Sequence, residues 1–179
     1  MKIIFFILIS IFLSEASCKK NITDNDYWGY VSAQKNGENW SAKIRAGINT
    51  HFQNKFDILI DRFSDPETMV ESLEFENIPK SVNRYRLFKR DYTTSDSSKS
   101  TAADYTLGAD GDVICDIYSV DESDSINNYI QIDNFDVNTN EVKGRFSLKL
   151  LIFRLPKCNN MAPDTIIFTN GNFYTKVNL

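Results

Sequence analysis

Apolar and polar residues alternate in short runs along most of the chain beyond residue 27, and turn residues separate the runs. Phe56, Ile58 and Ile60 alternate with polar positions, and the run from 142 to 155 has an apolar residue at every second position from Phe146 to Ile152. Alternation with a period of two predicts half-buried β-strands. No stretch has a convincing helical spacing, so the sequence predicts an all-β protein.

Asparagine- or aspartate-glycine pairs mark the turns between several of these runs. Asn36-Gly37 lies between Tyr30–Ala33 and the alternating run that begins at Trp40. Such a pair supplies the two positive φ angles of a type I′ turn, which predicts a tight hairpin. A second hairpin is predicted around Asp110-Gly111. Near the end of the chain, Asn170-Gly171 separates two apolar runs, which are predicted as separate strands.

The pattern predicts a single antiparallel domain of about eight to ten strands, over residues 27–179. Strands that each bury one face form either a closed barrel or a two-sheet sandwich. Sequential hairpins favour pairing between neighbours along the chain. We favour a lipocalin-like barrel over a β-sandwich, because closure also removes exposed strand edges.

The first 17 residues have the features of a secretory signal peptide. Met1-Lys2 is a short positive start, and Ile3 to Leu13 is an apolar run broken only by Ser10. The run is shorter than the roughly 20 residues that a membrane-spanning helix needs. A short apolar core followed by the small residues Ala16 and Ser17 is typical of a cleaved export signal.

The residues Ala16-Ser17-Cys18 resemble the lipobox of bacterial lipoproteins. Glu15 departs from the usual apolar residue, and boxes similar to this one occur in Bacteroidota-type lipoproteins. The resemblance implies that Cys18 carries the lipid and becomes the mature N-terminus, with residues 18–26 as a polar spacer. Two or three acyl chains make such a tether stable, whereas one alone holds only marginally. The alternative is ordinary signal-peptidase cleavage after Ala16.

Several motifs in the predicted β domain resemble a family of Bacteroidota lipoproteins of unknown function. They are Asn36-Gly37-x-x-Trp40-Ser41-Ala42, Tyr105-Thr106-Leu107-Gly108, Val142-x-Gly144-x-Phe146-Ser147 and Ile167-x-x-x-Gly171-x-Phe173. The resemblance implies a lipobox followed by one β domain, and it implies no catalytic residues.

With Cys18 lipidated, Cys115 and Cys158 remain as an even pair in an exported protein. A disulfide is permitted in such a compartment, so these two residues are the candidate bridge. Cys115 lies in a predicted strand and Cys158 in a predicted loop. The alternative is a pair of thiols that never meet.

Composition and charge exclude several other classes of function. The formal net charge is -4, and a mildly acidic domain lacks the basic footprint of a nucleic-acid-binding protein. The basic cluster Arg84, Arg86, Lys89 and Arg90 is predicted to be a solvated strand face. The single histidine, His51, belongs to no ligand spacing, so neither a metal site nor a cofactor is predicted.

Trp28 and Trp40 are the candidate ligand-contact aromatics. Exposed aromatic rings can stack on sugars or line an apolar cup, and the alternative is packing in the core. No nucleophile motif such as G-x-S-x-G is present, so an enzyme is not predicted.

We therefore expect an outer-membrane or cell-surface lipoprotein with a non-catalytic binding domain. Without lipid on Cys18 the protein would be periplasmic or secreted. The expected partners are the membrane, through the lipid, and a glycan, a small apolar ligand or an envelope protein. The alternatives are a structural or assembly accessory of an envelope complex and a secreted glycan-acting enzyme.

Overall fold

The computed structural model describes residues 26–66, 68–90, 100–109, 113–153 and 162–178. The predicted signal peptide, Cys18, Cys158 and the predicted Asp110-Gly111 turn lie outside these residues. The described chain forms one 11-stranded sheet. The strands are β1 (Tyr30–Lys35), β2 (Glu38–Ile48), β3 (Lys55–Phe63), β4 (Met69–Pro79), β5 (Asn83–Arg86), β6 (Phe88–Lys89), β7 (Ala102–Ala109), β8 (Val113–Val120), β9 (Tyr129–Asp136), β10 (Glu141–Ile152) and β11 (Thr165–Asn178).

Eight of these strands form a closed antiparallel barrel. Around the ring they run β1, β2, β3, β4, β7, β8, β10 and β11, and β11 returns to pair with β1. Each barrel strand pairs with the next barrel strand along the chain, as the sequential hairpins predicted. The all-β prediction and the preference for a barrel over a sandwich are both confirmed. In the described residues, no helix is long and apolar enough to cross a lipid bilayer.

The Asn36-Gly37 turn has the predicted geometry. Asn36 has φ 52° and Gly37 has φ 86°, and Lys35 pairs directly with Glu38 across the turn. Two positive φ angles in a two-residue loop define type I′, so this hairpin prediction is confirmed.

The two runs around Asn170-Gly171 form one strand, which corrects the predicted separation. Ser32 on β1 faces Asn172, whereas Gln34 faces Thr169, so β11 contains one extra residue between these pairs. This is a β-bulge, and Asn170, with φ 54°, lies within the bulged segment. Asparagine tolerates this left-handed conformation better than most residues, so the pair bends the strand without ending it.

The region from Asn83 to Lys89 is divided into two short strands, β5 and β6. β5 pairs with β9, and β6 pairs with β7, with the fully buried Leu87 between them. The division arises because β8 pairs with β10 only near Leu150–Ile152, while the first part of β10 pairs with β9. Beyond the end of β8, the free edge of β10 pairs with β9, which in turn pairs with β5, and the edge of β7 pairs with β6.

The barrel core depends on two glycines that let aromatic rings lie against the backbone. A Cβ atom at Gly171 would lie 2.6 Å from the ring of Phe146, and one at Gly144 would lie 2.5 Å from the ring of Phe173. Both rings are buried, and the Phe146 ring is 5.3 Å from that of Phe75. A side chain at either glycine would therefore displace a central core residue.

We predict that Gly171→Ala lowers the free energy of unfolding by about 1–3 kcal/mol, because overpacking forces the Phe146 ring to move. The measurement is urea unfolding at equilibrium. Gly47→Ala is the matched control, since a Cβ at Gly47 would meet nothing within 4 Å. Equal stability of the two variants would show that Phe146 has room to shift.

Candidate functional site

The interior of the barrel is filled with aromatic side chains. The ring centroids of Trp40 and Phe168 lie 4.9 Å apart, and the Tyr105 ring lies 5.6 Å from the same phenylalanine. An eight-stranded barrel is either filled by its side chains or holds one small ligand, and the buried aromatic and aliphatic side chains of the described residues fill this one. Among the described residues, the candidate ligand sites therefore lie at a mouth of the barrel and on its outer wall.

A polar cluster closes the mouth nearest the β1–β2 turn. We call it the mouth cluster, and its members are Lys35, Trp40, Arg62, Glu71 and Tyr105. Glu71 lies on the inward face of β4, because every second residue of a strand shares a face and the next two on this face are the buried Leu73 and Phe75. Glu71 is not among the site residues predicted from the sequence, although the alternation of β4 already indicates that it faces inward.

The Glu71 carboxylate is the centre of this cluster. Its Oε1 atom lies 2.9 Å from Lys35 Nζ and 2.9 Å from Arg62 Nη1, and its Oε2 accepts a 2.9 Å hydrogen bond from Trp40 Nε1. Lys35 Nζ also donates to the Tyr105 hydroxyl at 2.6 Å. The buried carboxylate thus has both its charge and its lone pairs satisfied.

These contacts set the protonation states in the cluster. Burial raises the pKa of Glu71, but the charge of Lys35 and the hydrogen bonds from Lys35, Trp40 and Tyr105 outweigh it, so the pKa lies below its usual value. Burial and the adjacent Glu71 charge raise the pKa of Tyr105 far above its usual range. Glu71 is therefore ionised and Tyr105 is a hydrogen-bond donor at neutral pH.

A shallow depression of about 360 Å³ opens beside the mouth cluster. Lys35, Trp40 and Arg62 reach it from the cluster, and the turn residues Asn36, Glu38 and Asn39 complete its lining. Because Glu71 already engages both cations, the cluster fixes the shape of the mouth and offers little free charge to a ligand.

The outer surface of β1, β11 and the first part of β2 forms a different kind of site, which we call the amide face. The exposed lysines Lys176 on β11 and Lys143 on β10, opposite Tyr174, border this face, whose own eight side chains are uncharged amides, hydroxyls and tyrosines. These eight are Tyr30, Ser32, Gln34, Asn39, Ser41, Asn170, Asn172 and Tyr174.

Strand register brings the residues of the amide face together. Ser32 is directly opposite Ser41 on β2 and Asn172 on β11. Gln34 is opposite Asn39, and its Oε1 accepts a 3.1 Å hydrogen bond from Asn170 Nδ2. A depression of about 410 Å³ lies among these side chains, between the β1–β2 hairpin and the bulge of β11.

Part of the polar surface of this face is free to bind. Within the described chain, the side chains of Ser32, Asn39 and Ser41 form no hydrogen bond to other residues. Asn172 is held in place, because its Nδ2 donates to the backbone oxygen of Asn170 at 2.8 Å. The face therefore combines fixed amides with unengaged hydroxyl and amide groups.

One end of the amide face is aromatic. Tyr30 is directly opposite Tyr174, and the Trp28 ring packs edge-on against Tyr174 at 5.1 Å. Tyr30 remains 52% exposed and Trp28 42% exposed. Gly29 has φ 102°, and a Cβ there would lie 1.9 Å from the backbone oxygen of Tyr174, so only glycine allows the chain to bring Trp28 onto this ring.

The two tryptophans predicted as ligand contacts lie on opposite sides of the barrel wall. Trp28 is at the aromatic end of the amide face. Trp40 is 5% exposed and points inward, and its indole N–H is used by Glu71, although its edge reaches both depressions. Ligand contact at either residue stays a prediction.

Cys115 is disulfide-bonded. Its expected partner, Cys158, and the candidate lipid attachment site, Cys18, lie outside the described residues. The Cys115–Cys158 pairing therefore stays a prediction.

The basic cluster at 84–90 does not act as one unit. The Arg84 guanidinium stacks 3.7 Å from the ring centre of Tyr129. Arg90 instead points to an acidic group on the outer wall, at 2.6–3.3 Å from the carboxylates of Glu74, Glu76 and Asp104. Much of the positive charge of this run is therefore committed to contacts within the protein.

Comparison with known proteins gives no match to a family model, to a curated protein or to a solved structure. Among the described residues, no group of three or more His, Cys, Asp or Glu side chains has an arrangement that could hold a metal ion. The candidate sites rest on the geometry of this chain alone.

We predict that Glu71→Gln lowers the free energy of unfolding by about 1–3 kcal/mol at neutral pH, because Lys35 and Arg62 lose their shared counter-charge. The folded pKa of Glu71 is lowered, so its contribution is present above the usual value of 4.5 and is lost as the pH falls through the folded pKa. The difference between wild type and variant should therefore shrink in acid.

The measurement is urea unfolding between pH 3 and pH 7, which spans this window. Glu38→Gln is the control, because Glu38 is exposed at the β1–β2 turn and should change stability by less than about 0.5 kcal/mol. A Glu71→Gln effect that is constant across this pH range would contradict the ionic role of Glu71.

Proposed function

We propose that this chain is an exported, lipid-anchored protein of the bacterial envelope whose barrel binds a ligand on its outer wall without catalysis. The amide face carries the proposal. Charged residues make up 25% of the chain, yet the eight side chains of the amide face include none. An uncharged, polar and partly aromatic surface is suited to recognition, because its groups can both donate and accept hydrogen bonds.

The state of the interior supports an outer-wall site. The core positions are taken by aromatic and aliphatic side chains, and the mouth cluster satisfies its own charges. A deep ligand would have to displace these groups and leave Glu71 or its partners unpaired, which is costly in a buried setting. Binding on the amide face displaces only water.

The start of the barrel fits a short tether. Tyr27 is already fixed to the wall, since its hydroxyl donates to Asp61 at 2.8 Å and its ring lies 5.9 Å from that of Phe63. A lipid on Cys18 would be nine residues from Tyr27 along the chain, a distance of at most about 32 Å when extended. The barrel would then work close to the membrane surface.

We expect mass spectrometry of the mature protein, expressed in a bacterium that processes lipoproteins, to find acyl chains on Cys18 at the N-terminus. Cys18→Ala should release the protein from the membrane fraction, because it removes the acylated sulfur. Glu15→Leu is the matched control, since it restores the usual apolar residue and should keep the anchor. A mature N-terminus at an unmodified Ser17 would refute the lipid anchor.

Hydroxyl-radical footprinting tests the use of the amide face without knowledge of the ligand. We expect Tyr30 to be oxidised less in intact cells than in the purified protein, because a bound ligand covers its ring. Phe153, which is 60% exposed and lies at the end of β10, is the internal control and should react similarly in both samples. Equal reactivity of Tyr30 in cells and in solution would contradict a ligand on this face.

A further inference from the structure

We propose that the ligand of the amide face is a neutral glycan, stacked on the aromatic end and hydrogen-bonded along the strands. This inference rests on the proposed function, because it names the ligand class of the same surface. It follows from the charge of the face, the geometry of its aromatic end, its fixed amides and its length.

The charge of the face selects an uncharged ligand. Nucleic acids, acidic peptides and anionic headgroups are bound through cations, and the amide face presents none. Arg145, opposite Asn172 on the adjoining strand, is paired at 3.0 Å with both carboxylate oxygens of Asp133, while the exposed Lys143 and Lys176 lie at the edge of the face beside Tyr174. A charged group held among the amides would therefore lose hydration without gaining a counter-charge from them.

The hydrogen-bonding groups of the face match hydroxyl groups. A sugar hydroxyl is both a donor and an acceptor, and side-chain amides and serine hydroxyls also have both capacities. Ser32, Asn39 and Ser41 have these groups unengaged by other described residues. A purely apolar ligand would leave them unpaired, so the face disfavours it.

The aromatic end provides the apolar contact that a sugar ring needs. A pyranose has faces made largely of C–H groups, and these stack on tyrosine and tryptophan rings. Trp28 and Tyr30 are both partly exposed, while Tyr174 packs against each of them at 5.1 and 6.0 Å between ring centres. The Tyr174 hydroxyl is fixed by a 2.6 Å hydrogen bond to Glu141. The rings are thus held in position before a ligand arrives.

The bulge of β11 holds the amides in the same way. Asn170 has a fixed left-handed backbone, bonds Gln34 through its side chain and accepts from Asn172 through its backbone oxygen. Groups that are already ordered lose less entropy on binding, which favours affinity for a flexible oligosaccharide.

The size of the face suits a short oligosaccharide. Tyr30 and Gln34 are four residues apart on β1, which corresponds to about 13 Å along the strand. Two strand spacings from β2 to β11 add a width of about 10 Å. A chain of sugars can lie along β1 with one ring on Tyr30 and later units on the amides.

The test uses the full mature chain, made with Cys18→Ser so that it stays in solution. It is applied to an array of neutral gluco-, manno- and xylo-oligosaccharides beside uronic-acid oligosaccharides, and hits are measured by calorimetry. We expect binding to neutral members. Tyr30→Ala should weaken it about tenfold, the equivalent of one lost stacking contact of about 1.4 kcal/mol.

Ser32→Asp places a charge in the centre of the face, opposite Ser41 and Asn172, without removing a hydrogen bond within the described chain, and it should weaken binding by a similar factor. Asn134→Asp, on the exposed side of β9, and Phe153→Ala are the matched controls and should bind as the wild type does. Thermal unfolding of each variant separates lost binding from lost folding.

Absence of binding to any neutral oligosaccharide, a preference for the acidic ones, or equal loss in the control variants would overturn the glycan inference. Protection of Tyr30 in intact cells would then still support the proposed function, with a protein as the occupant of the amide face. Failure of both experiments would reject the face as a binding site altogether.

Discussion

The antiparallel pairing of β1 with β11 joins the beginning and the end of the folded chain, and the other features of the barrel depend on it. It closes the ring and so shields the aromatic core from water. It also places Tyr30 against Tyr174 and Ser32 against Asn172, which creates the amide face from two segments more than 100 residues apart. Without this pairing, both strands would be open edges and the polar groups would be scattered.

The polar groups of the mouth cluster are bonded within the protein, whereas several of those on the amide face are open to solvent. In the mouth cluster, Glu71 is enclosed by Lys35, Arg62, Trp40 and Tyr105, and the hydrogen bonds that it can accept come from within the protein. On the amide face, hydroxyls and amides remain turned to the solvent. The first arrangement stabilises one shape of the barrel mouth, whereas the second leaves interactions that a ligand can complete.

The sequence predicts what is decided locally. Strand alternation identified the all-β class, and Asn36-Gly37 identified the hairpin, because both depend on neighbouring residues. The bulge at Asn170 was predicted as a break, since its role depends on β1 and on the ring of Phe146. The composition of each amide-face strand is visible in the sequence, but the face itself appears only when the partner strands are known. Glu71 was recognisable as inward-facing, while its partners required the fold.

The position of the closing strand also affects when this chain can fold. The backbone nitrogen of Ile167 bonds the side chain of Asn36, 131 residues earlier. Contacts of such long sequence separation form slowly, because the entropy of a large loop is lost before any pairing is gained. The first strand cannot obtain its final partner until the last strand has been synthesised. The ring of the barrel therefore closes only after β11 has been made, whatever the earlier strands have already formed.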